Sequence, residues 1–403
     1  MAFVSVFVTG TPAHGAPGVM GCRRNAQESI VRGGTWRRGA AVARSGTVRM
    51  VAADKTALVV TNKGGGHGEI GFHLSLQLQQ QGIAVTLLTD HAGKGQDALK
   101  KKLPFSQYKQ LEDAGVECVF ADLSAGDALL VLPKSGFGYV FDNQNVCQKE
   151  VAELAADTGA FYTYVSSGGM YKPGDVFPMT ETTPSKPDNK QRQHEELVKA
   201  SLRSKLRGCA FFRPQYIVGP YTNKRDYLDW FFDRITRDLP LPLPAPGTQT
   251  TTVTDARDVA AMLACVVSAE DAILAEEKTD AELGPVFNCA SDRPVSLDGI
   301  AHACGAACGK TQAQVDKLIQ HVDPARFKDA PSAGKFPFRA TSFDVCVDKA
   351  KRVLGWKNQF SADFDALTKD YYEGYVSLGL HDTSKPVRMD FDRHVLENEM
   401  VQK

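Results

Sequence analysis

Glycines recur at three-residue spacing in Gly65-Gly66-His67-Gly68-Glu69-Ile70-Gly71, directly after the apolar run Ala57-Leu58-Val59-Val60. That spacing suits a pyrophosphate: Gly65 permits a tight turn, Gly68 a close backbone approach, and Gly71 close packing of a helix on its strand. The free N–H groups of the helix start complete the anion site. A glycine triplet alone is also what an ordinary glycine-rich loop contains. The context separates the two, because Leu74, Leu76 and Leu78 continue as an amphipathic helix and Ala84-Val85-Thr86-Leu87-Leu88 follows Gly82 as a second strand.

Further strand and helix patterns must carry the rest of such a site. Val116 to Phe120, Gly138 to Phe141, a helix from Asn145 to Thr158, and Phe161 to Val165 alternate along the first half. Alternation of this kind predicts a parallel sheet with helices on both faces. A charged helix reaching Arg207, the strand Cys209 to Phe212, an aromatic helix Tyr227 to Ile235, a helix Asp255 to Val267 and a short returning strand Val286 to Asn288 come next. The expected organisation is a leader over 1–54 and a Rossmann-like domain over 55–214, rejoined by about 251–290. A smaller lobe spans 215–250 and 291–382, and a polar tail spans 383–403.

With 403 residues, 43% of them apolar, the chain can bury a large core, and no apolar run is long enough to span a bilayer. The first 50 residues hold seven arginines, no lysine and one acid, the composition of an organelle transit peptide; plastid import with cleavage near Met50 to Asp54 is expected. The formal charge of zero hides an asymmetry, since the remainder carries 40 basic against 46 acidic residues. A mildly acidic body binds nucleic acid only through a local basic face. Two candidates are Lys100-Lys101-Lys102 and the helix with Lys199, Arg203, Lys205 and Arg207, and solvated surface is the alternative for both. Nine scattered cysteines predict no disulfide framework, and His302, Cys304 and Cys308 read as a small-residue helix face rather than metal ligands.

In their order, these landmarks resemble an extended short-chain dehydrogenase/reductase over roughly residues 55 to 380. They include the glycine turn, Ala121-Asp122-Leu123, Val165-Ser166-Ser167 followed by Tyr171, Arg213-Pro214, Asp255-Ala256-Arg257-Asp258, Phe287-Asn288 and Leu354-Gly355-Trp356. The resemblance implies a Rossmann-like, doubly wound parallel α/β sheet with a smaller C-terminal α/β lobe. It also implies cofactor contacts from Gly65, Gly68, Gly71, Asp122 and Ser167.

The family's chemistry is missing at a checkable place. Its oxidoreductases use a tyrosine whose phenolate is favoured by a lysine four residues later on one helix face. None of the eleven tyrosines here has lysine four positions on, and Pro187 and Gln191 stand near the expected places. Ser167 matches the family's serine without a proton-relay partner. Thr89, with Asp90 one place late, stands where an acid usually binds the adenosine ribose, and Asp142-Asn143 replaces small residues beside the nicotinamide.

Within the superfamily the chain is similar to the chloroplast stem-loop-binding proteins, the a-type in particular. Phe212-Arg213-Pro214-Gln215-Tyr216, Trp230-Phe231-Phe232-Asp233-Arg234-Ile235 and Phe336-Pro337-Phe338-Arg339 are among the phrases that carry the likeness. It implies a stromal protein that binds stem-loop RNA, stabilises or processes transcripts, associates with ribosomes and with itself or a paralogue, and cleaves RNA with a divalent metal. The cleavage positions map onto Asp122, Asp142 and Glu153, where Mg²⁺ would take carboxylate oxygens, with Asp122 and Asp142 expected at the ends of neighbouring strands. Each also has a plain structural reading, as a loop contact, a helix cap and a solvated helix residue. Two other functions stay open: an NAD(P)-dependent sugar-nucleotide epimerase or reductase, and a ribosome-associated factor without catalysis.

Overall fold

Continuous apolar strands need cover on both faces, and a parallel sheet flanked by helices provides it. In the computed structural model, Thr56–Thr61 (β1) is buried from Ala57 onward and leads into the helix Gly65–Gln80 (α1). Residues 55–396 are described, except 63–64, 134–135, 223–224, 226, 281–282, 328–333, 388 and 390–391. The expected leader and the end of the tail lie outside them.

The principal elements that follow are Ala84–Asp90 (β2), Glu117–Ala121 (β3), Tyr139–Asn143 (β4), Gln148–Thr158 (α2), Phe161–Val165 (β5), Lys190–Leu197 (α3) and Gly208–Pro214 (β6). After them come Leu228–Ile235 (α4), Ala256–Ala264 (α5), Val266–Thr279 (α6), Val286–Cys289 (β7), Leu297–Ala307 (α7) and Phe364–Ser377 (α8). The seven strands form one sheet in the order β7-β6-β5-β4-β1-β2-β3, with every neighbouring pair parallel. The strand order reverses between β1 and β4, and the crevice at their carboxyl ends is where such sheets receive ligands.

Gly71 does the packing work expected of the third glycine. A Cβ there would meet Thr61 Cβ at 3.1 Å, so the helix lies directly on β1. The smaller lobe has its own core, in which Phe231 and Phe232 of α4 meet Ile300 of α7 and Tyr371 and Tyr375 of α8. All of this lies in one compact unit.

Several boundaries differ from the sequence expectation for local reasons. Helix α2 begins at Gln148 rather than Asn145, because Gln144 Oε1 accepts the N–H groups of Val146 and Cys147 at 2.6 and 2.9 Å. The charged helix ends at Leu197 and continues as a π turn, Val198–Leu202, and a 3₁₀ turn, Arg203–Lys205. The tail is partly docked: Asp392 is buried against Arg234, and Val395 is buried with Val322, Phe327 and Phe338.

Candidate functional site

A cavity of about 360 Å³ opens at the strand-order reversal, between the sheet's carboxyl edge and the smaller lobe. Asn62 follows β1, Gln144 and Asn145 follow β4, Ser167 follows β5, and Gln215 follows β6. Gln191 of α3 reaches the same space. The lobe closes it with Tyr227, Arg339 and Phe343.

The carboxamides are held in place by their own bonds. Asn62 Nδ2 donates to Asn145 Oδ1 at 2.5 Å, and Gln215 Nε2 donates to the Phe343 carbonyl at 2.7 Å while its Oε1 accepts from Thr252. The Arg339 guanidinium stacks 3.8 Å from the centre of Phe343, and its Nε donates to the Tyr216 hydroxyl at 2.5 Å. Tyr216 itself sits at φ 36°, a left-handed conformation that costs a bulky residue roughly 1–3 kcal/mol and gathers at functional sites.

The family's tyrosine–lysine pair has no counterpart here. Gln191, a neutral amide, lies in the cavity near the position expected for the lysine, and Pro187 precedes α3. Tyr171 is fully buried and donates its hydroxyl to Asn288 Oδ1 at 2.6 Å, outside the cavity. Ser167 Oγ accepts the Gly169 N–H at 3.1 Å and caps a short turn. Among the described residues lining the cavity there is no Asp, Glu, Lys or His.

The three carboxylates are placed apart. β1 and β2 lie between β3 and β4, so the ends carrying Asp122 and Asp142 are three strand spacings apart, roughly 14 Å, and not neighbours as expected. Asp122 accepts from the Ser124 backbone at 3.0 Å and the Ser124 hydroxyl at 2.6 Å. Asp142 is fully buried behind Gln144 and does not line the cavity; Tyr162 bonds Oδ2 and Gln144 bonds Oδ1, both at 2.8 Å. Burial pushes its carboxyl up to about 8. Glu153 is exposed on α2, 3.7 Å from Lys149. Among the described residues no group of three His, Cys, Asp or Glu is placed to hold a metal ion.

The dinucleotide end is altered as well. Thr89 is fully buried and hydrogen-bonded to the Tyr108 hydroxyl at 3.1 Å, while Asp90 accepts the N–H groups of Ala92 and Leu123. The glycine turn thus retains its geometry, while at the ribose end Thr89 takes the acid's usual place and Asp90 binds backbone through Oδ1. Pro104 also lies over the turn, 3.5 Å from where a Cβ on Gly68 would stand.

Other landmark residues prove structural. Arg213 pairs with Glu195 through two hydrogen bonds, at 3.1 and 2.7 Å, and also donates to the Tyr171 hydroxyl; Ser166 Oγ donates to Glu195 at 2.6 Å. Of the two basic candidates, the second is largely consumed: Lys199 donates to the Leu283 carbonyl, Arg203 pairs with Glu277 and Arg207 with Glu270. Lys100, Lys101 and Lys102 are exposed, just before Pro104. The eight described cysteines are all free, and His302 pairs with Asp316 rather than with Cys304 or Cys308.

The sequence reading gave no role to Asn62, Asn145, Tyr227 or Arg339, which come from distant segments. Glu69 carries a signal in the sequence itself. A carboxylate inside the glycine turn is anomalous, and here it is fully buried, bonded to the Tyr221 N–H at 3.0 Å and to His73 at 3.4 Å, with burial raising its pKa.

Residues 64–284 match the NAD dependent epimerase/dehydratase family. The chain is 31% identical over 312 residues to the chloroplast stem-loop binding protein of 41 kDa b of Arabidopsis thaliana, covering 76% of this chain and 77% of that one. Among solved structures it is similar to epimerase Mth375 of Methanothermobacter thermautotrophicus, with TM-score 0.58, 18% identity, and coverage of 83% and 97%. It is also similar to the NAD-bound UDP-glucose-4-epimerase of Stenotrophomonas maltophila, with TM-score 0.58, 16% identity, and coverage of 81% and 99%. At these identities the structural likeness is one of fold. The Arabidopsis relative is a b-type protein, so the match establishes the wider group and not the a-type within it. The chain belongs to the NAD dependent epimerase/dehydratase family, and within it to the chloroplast stem-loop binding proteins.

Proposed function

We propose that this protein binds stem-loop RNA in the plastid stroma, on a dehydrogenase fold that has lost its hydride chemistry. The observation that carries the reading is Gln191: a neutral amide lines the cavity near the expected lysine position, and no tyrosine precedes it by four residues. The printed name of the Arabidopsis relative supplies the ligand class. On this reading the protein stabilises or processes transcripts, and works beside ribosomes as a self-associating factor.

Binding is better supported than cutting. A Mg²⁺ site needs oxygen ligands that converge, whereas Asp142 has both oxygens engaged, Glu153 faces solvent and Asp122 lies just past the end of an edge strand. Gel retardation of a labelled stem-loop by the leader-free protein, with a mononucleotide-mixture control, tests the reading. A complex in the nanomolar range, weakened by salt and indifferent to EDTA, is expected; absence of any complex at 50 mM salt overturns it.

A further inference from the structure

We propose that the cavity beside Gln191 holds one unpaired nucleotide of the RNA, with its base against Tyr216 and Tyr227 and its phosphate at Arg339. The inference rests on the RNA-binding reading above and assigns that reading a site. About 360 Å³ lies at the lower end of the range for small-molecule pockets, roughly 300–1,000 Å³, which is room for a single nucleotide unit rather than a dinucleotide.

The hydrogen-bonding capacity that remains inside fits the edge of a base. Gln191 is half-buried and makes no hydrogen bond to the described residues, so its carboxamide offers an adjacent donor and acceptor. Asn145 has its Oδ1 engaged by Asn62, which turns its Nδ2 into a donor of fixed orientation. Ser167 accepts through its oxygen from Gly169 and keeps its O–H to give. A base edge presents donors and acceptors side by side and is read by such groups when the base is splayed out of its helix.

The remaining walls suit the rest of a nucleotide. Tyr216 and Tyr227 meet edge to face at 5.3 Å, giving aromatic surface on which a base of any identity can stack, while Phe343 is buried beneath the Arg339 guanidinium and backs the wall. Arg339 is the one charged side chain among the described lining residues. Its Nε is spent on Tyr216, and its terminal nitrogens have no acceptor among the described residues, so a fork of donors faces a cavity with no carboxylate to neutralise it. An anion bound by two parallel N–H bonds completes that arrangement, and a phosphate is the anion a nucleotide carries. Paired bases are inaccessible to such a pocket; the loop of a stem-loop supplies unpaired ones.

A free sugar nucleotide contains the same nucleotide unit, so the experiment has arms for both sources. Leader-free protein is titrated with a stem-loop RNA, with versions made abasic at each loop position in turn, and with UDP-glucose as competitor. One loop position whose abasic form binds at least tenfold more weakly is expected, and 2-aminopurine placed there should change its fluorescence on binding wild type. Gln191→Leu should weaken the intact RNA severalfold and bind the abasic RNA as wild type does, whereas Arg339→Met, which removes the phosphate contact, should weaken both. The 2-aminopurine signal requires no variant and so survives any folding defect in either. Uniform loss across all abasic positions, or a Gln191→Leu variant that weakens intact and abasic RNA alike, overturns the pocket while leaving RNA binding in place. Displacement of the RNA by micromolar UDP-glucose assigns the pocket to a sugar nucleotide and overturns it too. Failure of the unmodified stem-loop to bind wild type at all removes the functional reading itself.

Discussion

The hydroxyl of Tyr162 stands 2.8 Å from Asp142 Oδ2 and 2.8 Å from His194 Nε2, so one phenol joins a buried acid to a buried base. Burial pushes Asp142 up to about 8 and His194 down to about 4, which leaves both neutral at pH 7. A protonated Asp142 then donates to the Tyr162 oxygen, and Tyr162 donates to His194; ionising Asp142 reverses the first bond. Gln144, fixed on the other carboxyl oxygen, connects this relay to the wall of the cavity.

Stability should therefore fall between about pH 6.5 and 8. The folded state holds the Asp142 proton from its ordinary value of 3.8 up to about 8, so the stability this gives is complete below 3.8 and is lost as pH rises through 8. His194 acts oppositely, giving stability above its ordinary 6.5 that is lost as pH falls through about 4. The two slopes cancel between about 4 and 6.5, and Asp142 alone acts above. Asp142→Asn keeps an acceptor for Gln144 and a donor for Tyr162, and should be as stable as wild type near pH 7. Relative to this variant, wild type should lose on the order of 2 kcal/mol from pH 6.5 to 8, at about 1.4 kcal/mol per pH unit. Parallel urea-denaturation curves for the two proteins across that window would count against the relay.

Glu195 and Arg213 are both buried and joined by two hydrogen bonds. Removing one partner strands the other charge, a loss of about 3–5 kcal/mol in comparable buried pairs. Glu195→Leu should lower the urea midpoint accordingly, with Glu195→Gln intermediate because it can still accept from Ser166 and Arg213. A loss under about 1 kcal/mol for the leucine variant would mean that water reaches Arg213.

How far the sequence reveals this site depends on range. β1, β4 and β5 are legible because central parallel strands must be apolar on both faces, and Thr61 to Gly71 follows from glycine spacing. The family resemblance maps a ligand onto Asp142, and its place at a strand's carboxyl end is local information; its burial depends on Tyr162 and His194, 20 and 52 residues away. Sheet order is equally non-local, and inserting β1 and β2 between β3 and β4 is what separates Asp122 from Asp142. Arg339 reaches Tyr216 across 123 residues, with nothing in its own neighbourhood to mark it as part of a cavity.

Hydride transfer should be absent. With Gln191 near the lysine's expected place and Tyr171 committed to Asn288, the tyrosine–lysine pair that moves the proton in the family has no counterpart in the cavity. Mixing the protein with NAD⁺ or NADP⁺ and UDP-glucose or dTDP-glucose should produce no reduced nicotinamide and no epimer. Turnover that Ser167→Ala abolishes would show that the serine has a relay partner after all.

Phosphate attraction should be separable from recognition in the cavity. Lys101 and Lys102 are exposed between the short helix Gln96–Leu99 and Pro104, which packs over the glycine turn at the carboxyl edge of the sheet, the same edge that bears the cavity. Lysines so placed contact a backbone without reading its bases, and each phosphate they neutralise adds about 0.7–0.9 to the slope of log affinity against log salt. Replacing both by glutamine should therefore weaken every RNA alike and lower that slope by about 1.5, while the ranking of loop sequences stays as it is. Filter binding of two stem-loops that differ only in the loop, at five salt concentrations, measures both quantities. An unchanged slope would place the phosphate contacts on another face, and a changed ranking would mean that these lysines touch the loop bases directly.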